Sequence, residues 1–133
     1  MYSIMANSNI SKLDQYMHEY RTWQRMLEFF KQENAFLKTR LSEVVDRNTD
    51  KDFLALAEHF QNQFIIKDDF IGELKHDINE IEALTKGPAG NYKNTPDIRV
   101  ETKHIKLRNE MEYLEKSFTQ LKNEFNNYLI SVL

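Results

Sequence analysis

The amino-acid sequence predicts an all-α fold, an antiparallel up-down-up bundle of three long helices. Apolar residues recur every three or four positions over three stretches of about 35 residues, which is the spacing of helices with coiled-coil-like packing. The chain has only 3 glycines and 2 prolines among 133 residues, too few for the tight turns of an all-β fold. Hydrophobic residues make up 41% of the chain, which is enough for a packed core.

The first predicted helix covers residues 9–46 and follows a polar lead-in at residues 1–8. Ser11 and Asp14 have the spacing of a capping box, and Ser8 is an alternative start. The seam that we expect to face the core contains apolar residues and two polar ones. It consists of Ile10, Leu13, Met17, Tyr20, Gln24, Leu27, Asn34, Leu37, Leu41 and Val44.

The second predicted helix covers residues 50–86. Thr49 followed by Asp52 is the signal for its start. Gly87 and Pro88 mark its end, because glycine adopts the left-handed cap conformation and proline does not continue a helix. Its seam is more regular than the first and consists of Phe53, Ala57, Phe60, Phe64, Lys67, Ile71, Leu74, Ile78 and Ile81.

The third predicted helix covers residues 96–132, after a loop at residues 87–95. Thr95, Pro96 and Asp97 have the order of a cap, a first helical residue and a first-turn carboxylate. The seam consists of Val100, His104, Leu107, Met111, Leu114, Phe118, Leu121, Phe125, Tyr128 and Val132. Short connections make neighbouring helices antiparallel, so residues 9–133 are expected to form a single domain.

Composition excludes several classes of function. The formal net charge is -3, with 18 basic and 21 acidic residues, so the chain lacks the excess of basic residues that a duplex-binding surface needs. It has no cysteine, which fits a reducing compartment. It also has no apolar run of signal-peptide or membrane-span length. We therefore expect a cytoplasmic protein that does not bind membranes, and the overall charge does not favour nucleic acid as a partner. No catalytic motif or phosphate-binding loop is present, and the sequence predicts neither an enzyme nor a cofactor.

A layer of histidines and carboxylates is the candidate metal site. If the chain reverses at Asn48 and again near Gly90 and Asn91, then Asp77 lies level with His104, and His18 lies in the same layer. Two Glu-x-x-His units end at His76 and His104, and such units occur in di-iron bundles. The hypothetical di-iron-like or single-metal site consists of His104, Asp77, His18, Glu101 and Glu73. The alternative is a polar layer held by hydrogen bonds or solvated, in which His76 faces water.

The same reversals place Glu73 opposite Arg108, as one of several interhelical ion pairs that would select the hairpin register. A second group of charges, Arg99, Lys103 and Lys106, recurs on one face of the third helix. It forms a candidate stripe for contact with an anion or a nucleic acid. A solvated helix face is the favoured alternative, because Glu110 continues the stripe.

Three polar residues interrupt the predicted seams, namely Gln24, Asn34 and Lys67. Such residues in a coiled coil fix the register or the number of helices. The other interpretation is that they lie at the rim of a broad three-helix core. The sequence leaves both open.

More apolar residues are present than one chain is expected to bury. On the first two helices several lie away from the seams, and the candidate interface consists of Met26, Phe29, Phe36, Ile66 and Phe70. Exposed apolar area of this kind usually marks an interface. The sequence therefore predicts a non-enzymatic bundle that self-assembles, as a homodimer, or binds a partner helix. A metal-binding bundle is the alternative function.

Overall fold

A computed structural model describes residues 11–86 and 96–133. These residues form three helices and no strand: α1 (Lys12–Val45), α2 (Lys51–Lys86) and α3 (Ile98–Val132). The predicted all-α fold is confirmed, and the helix boundaries differ from the predicted ones by at most three residues. The predicted lead-in, the first seam residue Ile10 and the end signal at Gly87 and Pro88 lie outside the described residues. Within the described ranges, no helix has the length and apolar content that a membrane span requires.

The helix starts follow from local capping. Ser11 caps α1 as predicted, because its Oγ accepts a hydrogen bond from the Asp14 backbone N–H at 3.1 Å. The predicted cap of α2 at Thr49 is wrong. Asp50 takes this role instead, and its Oδ1 accepts the backbone N–H of Phe53 at 3.1 Å. A carboxylate suits this position because it both accepts hydrogen bonds and opposes the positive end of the helix dipole.

The start of α3 is also later than predicted. Asp97 is the cap, with its Oδ1 3.0 Å from the Val100 backbone N–H. Pro96 therefore precedes the helix and is not its first residue. Thr95, the predicted cap, lies outside the described residues.

The seams become one continuous apolar core. Every predicted seam residue of α2 is buried, and in α3 only Val132 is less than fully buried. In α1 the prediction that Gln24 faces the core is wrong, because Gln24 lies at the rim and its neighbour Trp23 is buried instead. Aromatic rings fill the end of the core near the α1–α2 connection, where the Phe64 and Phe125 rings meet edge to face at 5.2 Å. Burial of each such side chain contributes about 1.5–3 kcal/mol to folding.

The helices pack in the predicted order, with α2 antiparallel to both α1 and α3. Lys67 Nζ donates to Ser117 Oγ at 2.8 Å and the Tyr128 hydroxyl to the Phe53 carbonyl at 2.9 Å. Both contacts fit a chain reversal near residues 90 and 91. The α1–α2 contacts reverse a few residues beyond the predicted point, Asn48. The backbones of α1 and α3 approach each other less closely than either approaches α2, so long side chains bridge them.

The three polar seam residues occupy different environments. Gln24 lies at the rim and donates to Asn79 Oδ1 at 3.1 Å. Asn34 is fully buried, and its Nδ2 donates to the Phe64 carbonyl at 2.8 Å. Lys67 is also buried, and this burial lowers the pKa of its ammonium group. The rim interpretation therefore describes Gln24, while a role of Asn34 and Lys67 in register stays a prediction.

Candidate functional site

His104 lies at the centre of a network of polar and aromatic side chains. The seam of α3 places its ring in the core, where it has no solvent exposure. Its Nε2 is 2.6 Å from Glu19 Oε1 and its Nδ1 is 3.0 Å from the Tyr20 hydroxyl. The Tyr16 ring stacks on the imidazole at 3.6 Å between centroids, and Trp23 lies 5.1 Å away. These four side chains come from α1, so His104 joins α1 to α3. A further neighbour is Arg108 of α3, whose Nη2 lies 3.0 Å from His104 Nε2.

Glu19 is the second centre of this network. Arg108 binds its carboxylate with both arms, from Nε to Oε2 at 3.0 Å and from Nη2 to Oε1 at 2.9 Å. Two turns towards the start of both helices, Lys12 Nζ lies 2.7 Å from Glu101 Oε1. A two-armed pair such as that of Arg108 with Glu19 is directional as well as favourable. The network therefore fixes how α1 lies along α3.

The environment sets the protonation states. Burial lowers the pKa of His104 below 6.5, although the neighbouring Glu19 carboxylate opposes this change. Burial raises the pKa of Glu19, but hydrogen bonds from Arg108 and His104 outweigh it, so the net change is downward. Burial also raises the pKa of Tyr20 to about 12. At neutral pH His104 is thus a neutral ring. Because a carboxylate only accepts hydrogen bonds, we assign the ring proton to Nε2, which donates to Glu19, and Nδ1 then accepts from Tyr20.

The predicted metal site is not assembled around His104. Both of its ring nitrogens have protein partners, and Glu101 pairs with Lys12. His18 and Glu73 are exposed, and Asp77 is half-buried between α2 and α3. Among the described residues, no three of the five predicted ligands bring their ligand atoms together. The sequence predicted that His104 and Asp77 lie at the same height along the bundle, but the His104 side chain faces α1 and not Asp77.

A different set of side chains does converge, on the surface of α2. Ligand atoms of His76, Asp77 and Glu80 all lie within 4.8 Å of one another. His76 Nε2 is 3.1 Å from Glu80 Oε2, one helical turn away. His76 is exposed, as the sequence predicts for it. Only Asp77 belongs to both the predicted set and this one.

The predicted anion-binding stripe is lined with carboxylates. Each of its residues has one within 4 Å: Arg99 pairs with Asp97 at 3.3 Å, Lys103 with Glu80 at 3.5 Å and Lys106 with Glu110 at 3.9 Å. An anion would have to displace these partners. The arrangement fits the solvated, internally paired face that the sequence favours over anion binding.

The candidate interface residues are accessible to different degrees. Phe29, Phe36 and Ile66 are 57%, 56% and 54% exposed. Met26 and Phe70 are partly buried against the core.

These five residues lie on two faces of the bundle. Phe29 is one turn from Glu33, whose carboxylate reaches Lys122 of α3. Phe70 lies on α2 and meets the Tyr113 ring of α3 edge to face at 6.0 Å. Because Phe29 and Phe36 border the edge between α1 and α3, whereas Phe70 borders the edge between α2 and α3, the phenylalanines of α1 and the apolar residues of α2 are separate patches.

Comparison of the chain with protein-family models, curated proteins and solved structures finds no match. Evidence on function therefore comes from the residues themselves.

Proposed function

We propose that this protein is a non-enzymatic helical bundle that self-associates through the outer face of α1. This outer face comprises Thr22, Arg25, Met26, Phe29, Glu33, Phe36, Arg40 and Glu43. The observation that carries the proposal is the pair Phe29 and Phe36, both more than half exposed. The two are seven residues apart, so they lie on the same side of one helix, two turns apart.

The cost of leaving these rings in water supports an interface. Single exposed apolar residues are normal on protein surfaces. Here two phenylalanines share one face, and Met26, one turn before Phe29, is partly buried on the core. Burial of each ring in a contact contributes about 1.5–3 kcal/mol. Aromatic anchors of this kind dominate the binding energy of protein interfaces.

The spacing of the anchors favours a second copy of the chain as the occupant. Phe29 and Phe36 are equidistant from the point between Gln32 and Glu33. If two copies of α1 pack antiparallel about a two-fold axis at that point, Phe29 of each copy meets Phe36 of the other. A two-fold interface needs such self-complementary positions, and two-fold dimers are the commonest oligomers.

Charges at the two ends of the outer face fit the same arrangement. Arg25 donates to Thr22 and forms no ion pair within the described residues. Glu43 lies at the opposite end, 3.6 Å from Arg40. Antiparallel packing about this axis places Arg25 of one copy level with Arg40 of the other and one turn from its Glu43, so Glu43 lies between two arginines. These charged side chains then contribute to the relative orientation of the two copies, and the phenylalanines contribute to the affinity.

The length of α1 is adequate for a stable dimer. Such an interface buries on the order of 800 Å² per partner, which two rings alone do not supply. Since α1 has 34 residues, it is about 50 Å long, and antiparallel packing along it adds contacts on both sides of the rings.

The test is the mass of the chain in solution, measured by sedimentation equilibrium at concentrations from about 1 to 200 μM, a range that spans typical weak dimers. We expect a dimer that dissociates on dilution. The double variant Phe29→Gln/Phe36→Gln is expected to weaken dimerisation by roughly 100-fold or more, because both anchors are lost. Ile66→Gln, an equally exposed apolar residue on the other patch, is the matched control and should leave the mass unchanged.

Circular dichroism should show the same helix content in all three chains, since the substituted side chains are exposed. A parent chain that stays monomeric at 200 μM, or a double variant that dimerises like the parent, contradicts the proposal. Equal weakening by Ile66→Gln would place the interface on α2 instead.

A further inference from the structure

We infer that α2 carries a binding site for one divalent first-row transition-metal ion, formed by His76, Asp77 and Glu80. The site is independent of the outer face of α1. Its ligand atoms are an imidazole nitrogen and two carboxylate oxygens, all within 4.8 Å of one another. Zinc and its neighbours bind both imidazole nitrogen and carboxylate oxygen, and the imidazole favours them over magnesium and calcium.

The helix holds these groups in place. His76 and Glu80 are one turn apart in the interior of a 36-residue helix, so both side chains point to the same side. Asp77 adds a third ligand on the side that faces α3. Ligand atoms around a tetrahedral zinc ion are roughly 3.3 Å apart. The three side chains therefore need only small rotations to close on an ion, and water completes the coordination because His76 and Glu80 are exposed.

A groove beside the three ligands supports a cation there. It has a volume of about 110 Å³ and lies between α2 and α3, lined by Asp77, Glu80, Lys103, Lys106, Leu107 and Glu110. Glu110 Oε1 is buried and, within the described part of the chain, accepts no hydrogen bond. Its nearest cation is Lys106, at 3.9 Å. A hydrated metal ion at Asp77 and Glu80 brings donors and positive charge into this groove, which offsets the missing hydrogen bond of the Glu110 oxygen.

Lys103 is the competitor of the metal. Its Nζ lies 3.5 Å from Glu80 Oε1, and both side chains are about half exposed. An exposed pair at this distance contributes little to stability, so an ion can displace it. The positive charge still repels the metal. Removal of this charge is therefore expected to strengthen metal binding, whereas removal of an ordinary surface lysine is not.

The test is calorimetric titration of the purified full chain with ZnCl₂. We expect one site, and we expect His76→Ala to weaken it roughly tenfold or more, because the imidazole is the strongest ligand. Glu80→Gln should weaken it as well, and Lys103→Gln should tighten it. His59→Ala and His18→Ala remove imidazoles that are also exposed, and these controls should bind like the parent. A large excess of Mg²⁺ should not compete, since magnesium prefers oxygen ligands alone.

Imidazole resonances of the parent chain give an independent measurement, because addition of Zn²⁺ should move those of His76 first. The substituted positions are on the surface, and circular dichroism is expected to show intact helices. Absence of heat and of shifts at 1 mM Zn²⁺ overturns the inference. So does parent-like affinity in His76→Ala, which would mean that zinc binds elsewhere on the chain.

Discussion

His104 is the residue with the most polar partners in the core. A buried imidazole is tolerated when both nitrogens have hydrogen-bond partners, and here Glu19 and Tyr20 satisfy them. Arg108 holds Glu19 in position from the solvent side. The sequence indicated that His104 is interior, from its seam position. It did not indicate these partners, because they depend on which edge of α3 faces α1.

The low pKa of His104 makes stability depend on pH. Because burial holds this pKa below 6.5 in the folded chain, the unfolded chain takes up the proton first as the pH falls. The contribution of neutral His104 to the free energy of unfolding is complete above pH 6.5 and is lost as the pH falls towards the folded pKa. We expect the parent chain to be less stable at pH 5.5 than at pH 7.5.

The variant His104→Phe separates this effect from packing. It keeps a ring against Tyr16 but removes both hydrogen bonds, so it should cost about 1–3 kcal/mol at pH 7.5. Its disadvantage should shrink at pH 5.5, since it has no proton to bind. Urea unfolding of both chains at the two pH values measures this. An equal loss in parent and variant on acidification would assign the pH dependence to other groups.

At the scale of one element, the helix starts depend on few atoms. Asp50 Oδ1 accepts the backbone N–H groups of both Asp52 and Phe53, at 2.9 and 3.1 Å. Asn48 in turn accepts the N–H of Asp50 at 3.0 Å. Thr49 and Asp50 are both good capping residues. The sequence did not decide between them, because the choice depends on how the turn after α1 is closed.

This difference gives a matched pair of substitutions. Asp50→Ala removes the acceptor of two N–H groups and should lower the free energy of unfolding by about 1 kcal/mol. Thr49→Ala, one residue earlier, should change the free energy of unfolding by only a few tenths of a kcal/mol, as expected for a surface position. Urea denaturation at pH 7 compares the two. A larger effect of Thr49→Ala would restore the cap that the sequence indicated.

The seams and the sides of the helices differ in how far the sequence predicts them. The seven-residue period of α2 identifies its buried residues from Phe53 to Ile81 without error. It also gives the level of each residue along the bundle, as the contact of Lys67 with Ser117 shows. It does not say which neighbour lies on which side. Glu73 was therefore expected opposite Arg108, which in fact binds Glu19.

For the molecule as a whole, the pattern of apolar residues does not determine the handedness of the bundle. The third helix of an up-down-up bundle can pack on either side of the first two. In the observed arrangement one edge of α1 faces α3 and carries charges opposite to those it meets. The pairs are Lys12 with Glu101, Glu19 with Arg108 and Glu33 with Lys122. In the mirror-image topology this edge would face α2, and all three pairs would be lost.

The pair of Glu33 and Lys122 tests whether these charges favour the observed handedness. It is half-exposed and joins α1 to α3 far from His104. Lys122→Glu places like charges together and should destabilise the bundle by roughly 0.5–1 kcal/mol, and addition of Glu33→Lys should restore most of it. The coupling energy should fall in 1 M NaCl, since salt screens exposed charges. Arg40 and Glu43, paired within α1 at 3.6 Å, form the control, with a coupling of only a few tenths of a kcal/mol.

Each coupling energy comes from a double-mutant cycle of four chains: the parent, the two single variants and the double variant. These four chains are best compared in the Phe29→Gln/Phe36→Gln background. Glu33 lies in the proposed dimer interface, and dissociation of the dimer would otherwise contribute to the free energy of unfolding. A coupling between Glu33 and Lys122 no larger than that of the Arg40 control would mean that apolar packing alone selects the handedness. In that case the polar contacts between α1 and α3 would be confined, in their effect on stability, to the network of Glu19. A larger and salt-sensitive coupling would show that charge at the α1–α3 edge helps to exclude the mirror-image bundle, which buries the same seams.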